Sequence, residues 1–173
     1  LLVPCQAIFL HVIPYFCVSC RVMNIPCHAV SFFFRKNAPW TFGGNVKKFG
    51  KNTGIIDGAY QSDWDTHHER VLRLCNSLSS ELGVSKKDRF AVMALNSHQF
   101  LELWHSAFLG AGIINPLNLR LAPKELAYIL NDSGTEVIFT DQFFAPLITA
   151  AREELGEDDP IRHVVLIGEG DVQ

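Results

Sequence analysis

The first 56 residues contain no aspartate or glutamate, although they contain six lysines and arginines. The remaining residues reverse this balance, with nine basic and eighteen acidic side chains, so the composition changes near residue 50. The acidic part of the chain also lacks a cluster of basic residues. Because binding to a phosphate backbone requires such a cluster, we expect no nucleic acid among the partners of this protein.

Long uninterrupted hydrophobic runs are scarce as well. The segment from Leu1 to Met23 is apolar, but Gln6, His11 and Arg21 interrupt it, and it contains two prolines. It is therefore a poor candidate for a membrane span. A secretory signal would need an initiator methionine and a basic start, whereas this chain begins with leucine. We expect residues 1–50 to be an irregular apolar and basic extension, and residues 1–40 not to belong to the native folded unit.

Cysteine is rare beyond this extension. Cys75 is the only cysteine after residue 27, so the patterned part of the chain has the composition of a reduced, intracellular protein. Cys17, Cys20, Cys27 and His28 are residue types that bind zinc. However, Cys27 and His28 are adjacent, and no second spaced pair completes a set of four ligands. We interpret these cysteines as a chance cluster and predict no metal site.

The N-terminal extension also bears on the cellular location of the protein. The run FFF at residues 32–34, followed by Arg35 and Lys36, has the composition of a membrane-surface contact, but flanking prolines and the lack of an amphipathic period argue against one. We expect an intracellular, cytoplasmic protein. Membrane contact through residues 1–36 and an organellar location are the open alternatives.

Residues 88–141 alternate two kinds of hydrophobic periodicity. The segment from Arg89 to Leu95 is a short apolar run, typical of a strand that is buried on both faces. Similar runs predict strands at residues 113–117, 137–140 and 164–167. Amphipathic helical spacings lie between them. This alternation predicts right-handed crossovers and an α/β fold with a parallel sheet.

The predicted helices follow from the spacing of apolar residues. One starts at the cap Asn96-Ser97, ends at Gly110 and should bury one face: Leu101, Trp104 and Phe108. The next starts at Pro123 and ends at Ser133-Gly134, with Leu126, Ile129 and Leu130 buried. A later helix should bury Phe143, Leu147, either Ala150 or Ala151, and Leu155. Before the first of these strands, Ser62 and Asp65 predict a helix start, followed by an apolar stripe: Trp64, Val71, Cys75, Leu78 and Leu82.

Four histidines on these helices are candidate metal ligands. His67 and His68 are adjacent and point to different sides of a helix, so they cannot share a metal as an i, i+4 pair would. His98 and His105 are aligned by their spacing, but no Cys, Asp or Glu joins them at ligand spacing. We interpret all four as structural residues, with a pocket lined by His105 as the alternative.

The glycines do not form a phosphate cradle. Gly110 and Gly112 close a helix and open a strand, whereas a phosphate-binding loop follows a strand and opens a helix. Gly168 follows a strand, but the third glycine of that motif is missing. Asn118 and Arg120 end a strand without an evident catalytic role. The sequence therefore predicts no catalytic, cofactor-binding or metal-binding residue in this chain.

The segment FLGAGIINPLN, residues 108–118, resembles the second core motif of the AMP-forming adenylating enzymes. This superfamily includes acyl-CoA synthetases, luciferases and peptide-synthetase adenylation domains. The segments DRFAV at 88–92 and LAPKELAYILNDSG at 121–134 resemble its neighbouring segments. The similarity runs from about residue 54 to residue 172 and most resembles fatty-acyl-CoA synthetases. The first core motif departs from the family, with Ala59-Tyr60 in place of a Thr-Tyr pair.

The resemblance implies the N-terminal part of the adenylate-forming large domain, a partial parallel sheet with flanking helices. It also implies a reaction in which ATP activates a carboxylic acid, such as a fatty acid, to an acyl-adenylate, and coenzyme A accepts the acyl group. In the family, a Ser/Thr/Gly-rich loop ending in Pro-Lys-Gly holds the phosphates. This sequence contains no such loop. Residues 51–173 are therefore expected to be truncated before the phosphate loop and inactive, so that ATP, magnesium and coenzyme A belong to a full-length parent.

The alternative is a non-catalytic α/β interaction module, expressed as a short isoform, which binds a partner through its uncovered surface. In both cases an exposed sheet edge and apolar helix faces are expected to make residues 50–173 poorly soluble or molten on their own.

Overall fold

The computed structural model describes residues 42–168, which alternate helices and strands after an initial helix and hairpin. Helix α1 (Phe42–Phe49) precedes an antiparallel hairpin of β1 (Thr53–Asp57) and β2 (Tyr60–Asp63). The remaining elements, in chain order, are α2 (Trp64–Ser80), β3 (Arg89–Met93), α3 (His98–Phe108), β4 (Ile113–Pro116), α4 (Pro123–Ser133), β5 (Val137–Thr140), α5 (Ala145–Leu155), a 3₁₀ turn (Gly156–Asp158) and β6 (His163–Leu166).

Strands β3 to β6 form a parallel sheet in the order β4-β3-β5-β6, which confirms the predicted α/β fold. Phe90 of β3 lies opposite Ile114 of β4 on one side and Val137 of β5 on the other. The chain leaves β3 toward β4 and then crosses back to β5, so the strand order reverses between β3 and β5. Such a reversal is the switch point of a doubly wound sheet, where loops diverge and leave a crevice.

Strand β3 is buried on both faces, as its continuous apolar run predicted. Phe90, Ala91, Val92 and Met93 are each at most 1% exposed. Alternate residues of a strand point to opposite faces, so Ala91 and Met93 contact one cluster and Phe90 and Val92 the other. The first cluster includes residues of α4 and α5, and the second includes residues of α2 and α3. The sheet is therefore covered by helices on both faces.

Helix α2 begins one residue later than predicted. Asp63 is its N-cap and accepts a hydrogen bond from the Thr66 backbone N–H at 2.7 Å. Ser62, the predicted cap, instead lies in β2 with its side chain buried. The predicted start at Ser62 is wrong by one residue because Asp63, at the next position, caps the same turn. Strand β2 was not predicted, since its sequence YQSD lacks apolar alternation.

The predicted buried face of α3 is wrong. Phe108 is 59% exposed, whereas Glu102 is 2% exposed and Leu103 is 1% exposed. His98 and Ser106 are also buried. The apolar pattern failed here because each buried polar side chain has a partner: Arg70 of α2 for Glu102, Asp57 of β1 for His98 and the Leu103 carbonyl for Ser106.

The predicted buried face of α5 is wrong in one position. Phe143 lies before the helix and is 77% exposed, and its neighbour Phe144 is buried instead. The turn after β5 directs Phe144 toward the sheet, since its backbone N–H donates to Asp141 Oδ1 at 3.1 Å. Ile148 and Ala151 supply the remaining buried contacts of this helix.

The predicted irregular extension is also corrected at its end. Residues 42–49 form helix α1, in which Phe42 is buried with 7% exposure. Contact of this aromatic side chain with α2 and α3 stabilises a helix that its glycines, Gly43 and Gly44, would weaken. Among the helices of residues 42–168, none has both the length and the apolarity that a membrane crossing requires.

Candidate functional site

Ligands of doubly wound sheets bind at the carboxyl ends of the strands, at the switch point. Here the loops after β3 and β5 are joined by Asp141. Its Oδ2 accepts the Leu95 backbone N–H at 2.9 Å, and its Oδ1 accepts the Phe144 N–H. The Thr140 hydroxyl also donates to the Met93 carbonyl at 2.9 Å. Asp141 and Thr140 are therefore committed to hydrogen bonds within the protein.

The outer surface of the same edge is apolar. Leu95 follows β3 and is 57% exposed, Phe143 follows β5, and Leu166 ends β6 with 45% exposure. We call these three residues the edge surface. Exposed apolar side chains at neighbouring strand ends are typical of a surface that contacts another part of a protein or a partner.

Gly112, in the predicted turn before β4, has a steric role. Gly112 has φ 146°, and a Cβ atom placed there would lie 2.8 Å from Val84 Cγ1. Asn118 also has a turn role, because its Oδ1 accepts the Arg120 backbone N–H at 3.0 Å. These residues shape the connections on either side of β4.

A second polar region lies between α2 and α3. We call it the polar seam, and it consists of Arg70, Glu102, His67, His105 and Cys75. Arg70 and Glu102 form a two-pronged ion pair, with Nε to Oε1 at 2.5 Å and Nη2 to Oε2 at 3.2 Å. Glu102 is almost fully buried, and the Arg70 guanidinium also lies 5.9 Å from the centre of the Tyr60 ring. Charge-assisted bonds of this geometry fix both side chains.

The polar seam also contains a histidine pair. His67 Nε2 and His105 Nδ1 are 2.8 Å apart, and His67 is fully buried. Burial lowers the pKa of both imidazoles to about 4. Both rings are therefore neutral near pH 7, and one of the two facing nitrogens donates its proton to the other.

Cys75 also lies in the polar seam. Its Sγ lies 3.8 Å from the Ser106 carbonyl oxygen, and burial raises the pKa of the thiol to about 12. Because the thiolate is the reactive form of cysteine, this side chain is not a nucleophile at neutral pH.

His98 connects α3 to the hairpin. Asp57 Oδ2 accepts both the His98 backbone N–H at 2.8 Å and its ring Nδ1–H at 2.9 Å. These hydrogen bonds lower the pKa of the Asp57 carboxyl. The Tyr60 ring stacks on the imidazole with centres 3.7 Å apart. His98 therefore fixes the start of α3 against the hairpin.

The pairing of His67 with His105 across two helices was not predicted from the sequence. His68 lies apart from that hydrogen bond, with its ring 5.4 Å from the Phe42 ring. Both helices carry polar residues three apart, His67 and Arg70 on α2 and Glu102 and His105 on α3, but this spacing is equally typical of a solvated helix face. No local signal therefore identifies the pairs.

The His105 ring contacts the rings of Phe42 and Phe108, with ring centres 4.3 and 6.2 Å apart. An open groove of about 230 Å³ lies elsewhere, between α4 and α5, and is lined by Lys124, Ala127, Tyr128, Asn131, Glu154 and Leu155. Within residues 42–168, no three His, Cys, Asp or Glu side chains are arranged to hold a metal ion. Cys17, Cys20, Cys27 and His28, which were predicted not to form a metal site, lie outside the described residues.

The reversed strand order, the crossovers and the carboxyl edge define the beginning of a doubly wound α/β domain. The chain belongs to the AMP-binding enzyme family, which matches residues 42–173. The resemblance that the sequence motifs indicated is thereby confirmed.

Relatives of this chain include several ligases. It is 34% identical over 136 residues to a long-chain-fatty-acid–CoA ligase of Thermus thermophilus, a match that covers 79% of this chain and 24% of the relative. A 3-methylmercaptopropionyl-CoA ligase of Ruegeria lacuscaerulensis is 37% identical over 109 residues, which cover 62% of this chain and 19% of that ligase. The chain thus spans less than a third of the length of these curated relatives.

The fold is also similar to solved structures. The N-terminal domain of FACL13 from Mycobacterium tuberculosis is 26% identical with a TM-score of 0.64, over 78% of this chain and 34% of that one. A structure described as a putative long-chain-fatty-acid CoA ligase from Rhodopseudomonas palustris is 24% identical with a TM-score of 0.66, which supports the fold alone.

Proposed function

We propose that residues 42–168 are the N-terminal scaffold of an ATP-dependent, AMP-forming ligase. In this proposal the whole enzyme joins a carboxylic acid, and specifically a fatty acid, to coenzyme A. The family match over residues 42–173 carries the proposal. The Thermus thermophilus relative supports the fatty-acid assignment, since its name describes a long-chain-fatty-acid–CoA ligase.

The proposed reaction has two steps. The carboxylate attacks the α-phosphorus of ATP, which forms an acyl-adenylate and releases pyrophosphate. The thiol of coenzyme A then attacks the acyl carbon, which forms a thioester and releases AMP. Both steps need positive groups or hydrogen-bond donors where negative charge develops on oxygen.

The described residues do not fit the phosphates of ATP or a magnesium ion. Asp141 is the carboxylate at the switch point, and both of its oxygens accept backbone N–H groups. Arg70 and Arg152 are held in ion pairs with Glu102 and Asp159. These charges stabilise the fold, so we assign residues 42–168 a supporting role and derive no catalytic step from them.

The edge surface supports the scaffold role. Leu95, Phe143 and Leu166 present apolar area at the ends of three of the four parallel strands. Covering such side chains contributes roughly 25 cal/mol per Å² of apolar area removed from water. We infer that the remaining part of the ligase domain packs on this surface.

A chimera tests the proposal. Residues 42–168 would replace the aligned segment of the Thermus thermophilus ligase, and fatty-acid-dependent ATP–pyrophosphate exchange and thioester formation would be measured. We expect an active chimera, because the graft preserves the sheet order and the edge surface. The matched control is the same chimera with Phe90→Asp, which places a charge in the sheet core and should abolish folding and activity.

Two outcomes would contradict the proposal. A chimera that folds, as judged by circular dichroism, but shows no exchange would favour a non-catalytic module that uses the edge surface to bind a partner. Pyrophosphate exchange by the 173-residue chain alone would show that the scaffold role is wrong and that this chain holds its own catalytic groups.

We also propose an intracellular, cytoplasmic location. The proposal is supported by the free, inert thiol of Cys75, which suits a reducing compartment. Fractionation of cells that express the full chain should place it in the cytosolic fraction. Recovery with peroxisomes, where the name of an Arabidopsis thaliana butyrate–CoA ligase among the relatives places that enzyme, would contradict this location.

A further inference from the structure

Helix α1 buries one side chain against the rest of the fold. Of the α1 side chains that the structure describes, Phe42 alone is buried, and Lys47, Lys48 and Phe49 are exposed. Phe42 lies among four rings, which we call the aromatic cage: Trp64, His67, His68 and His105. The nearest ring is that of His105, stacked with its centre 4.3 Å from the centre of the Phe42 ring.

The histidine pair inside this cage accommodates a fixed number of protons. His67 Nε2 and His105 Nδ1 face each other at 2.8 Å, so a single proton lies between them. A second proton would place two N–H groups face to face and break the hydrogen bond. A proton on His67 Nδ1 would be buried without a hydrogen-bond acceptor among the described residues. Only the neutral pair fits this arrangement.

The charges around the pair oppose protonation. After burial, the groups that lower the pKa of His67 are His105 and His98 of α3, with Arg70 and His68 of its own helix. The buried side chain that α1 contributes is the uncharged Phe42.

The nearby carboxylates have other partners. Glu102 pairs with Arg70 and Asp57 with His98, while Asp63 and Asp65 lie beside Lys51. Asp65 acts on His68, whose pKa it raises against the larger lowering by burial. An imidazolium at His67 or His105 would therefore lack a dedicated counter-charge, which makes it costly at a buried position.

We propose that the His67–His105 pair is a proton-sensitive joint, which holds α1 on α2 and α3 at neutral pH and releases α1 on acidification while the parallel sheet remains folded. The sheet is unaffected because its two faces are packed by uncharged residues such as Phe90, Met93 and Ile138. Release of α1 would expose the aromatic cage and leave Lys47 and Lys48 on a free segment.

The direction of the pH effect follows from proton linkage. The pKa of each imidazole in the docked state is about 4, whereas a solvated imidazole has an ordinary value of 6.5. A lowered histidine pKa means that the docked state binds fewer protons than the released state. Docking is therefore fully favourable above pH 6.5 and weakens as the pH falls toward 4.

Hydrogen exchange of the full 173-residue chain at pH 7 and pH 5 tests this proposal, after correction for the intrinsic exchange rates. We expect the protection of amides 46–49, which donate hydrogen bonds within α1, to fall by about tenfold or more at pH 5. The amides of β3 and β5 should keep their protection. Equal protection of α1 at both pH values would overturn the proposal.

Variants identify the responsible groups. In the double variant His67→Gln, His105→Asn, amide groups replace the facing nitrogens and do not titrate, so α1 should keep equal protection at both pH values. His163→Gln, a change on β6 away from the cage, should respond to pH as the native chain does. Loss of α1 in the double variant to the native extent would show that other groups are responsible.

A titration of the native chain covers the case in which the double variant does not fold. Imidazole signals of His67 and His105 followed by NMR should stay those of neutral rings down to the pH at which the α1 amides lose protection. Titration of both rings near pH 6.5 with α1 still protected would overturn the proposal.

Discussion

The two helical layers on the sheet are held by different chemistry. On one face, α4 and α5 contribute Leu126, Leu130 and Ile148 to an apolar cluster. On the other face, α2 and α3 contribute to a smaller apolar cluster. They are also joined by the polar seam, through the pairs His67–His105 and Arg70–Glu102. An apolar layer is insensitive to protonation, and its stability follows the area buried. A polar seam depends on the presence and the charge state of both partners.

The ion pair of the polar seam gives the largest expected effect. Glu102→Ala leaves the Arg70 guanidinium partly buried without its carboxylate and should lower the free energy of unfolding by about 4 kcal/mol. Urea denaturation followed by circular dichroism measures this loss.

A matched double variant sharpens the comparison between the layers. Arg70→Met with Glu102→Leu removes both charges at similar volume and should recover most of the lost stability, since apolar replacement of a buried pair is often neutral. A double variant as unstable as Glu102→Ala would show that the ion pair contributes stability that apolar side chains of similar volume cannot replace. The two layers would then not differ in the way proposed.

The apolar layer gives the next effect. Leu130→Ala should lower the free energy of unfolding by about 3 kcal/mol, because Leu130 is fully buried and its truncation leaves a cavity. The loss should be the same at pH 7 and pH 5. Tyr128→Ala, a 69% exposed position on the same helix, is the control and should change stability by less than about 0.5 kcal/mol. A Leu130→Ala loss that varies with pH would show that the two layers are coupled.

The smallest effect concerns the start of α3, which has a side-chain cap that α4 and α5 lack. Ser97 Oγ accepts the Phe100 backbone N–H at 3.2 Å, so Ser97→Ala should cost about 1 kcal/mol in thermal or urea unfolding. Ser79→Ala, at an exposed position of α2, should leave stability unchanged. A loss above about 3 kcal/mol for Ser97→Ala would indicate that Ser97 also supports the loop after β3.

The sheet could be predicted from the sequence because its strands are short apolar runs separated by clear helix caps and glycines. Val137–Thr140 was predicted with its observed bounds, and Pro123 and Gly134 marked the ends of α4. The site could not be predicted to the same extent. The polar seam joins residues 32 and 38 positions apart, and nothing local distinguishes a buried Glu102 or His67 from a surface residue.

The two side-chain pairs of the polar seam also restrict translation of α3 along α2. Apolar helix surfaces can slide past each other by one turn, about 5.4 Å, with similar contact. Here such a slip would separate His67 from His105 and Arg70 from Glu102 at the same time. The His67–His105 and Arg70–Glu102 distances together therefore fix the position of α3 along the axis of α2. Only residues 94–97 join β3 to α3. The same two distances therefore also determine how far this loop rises above the carboxyl edge of the sheet.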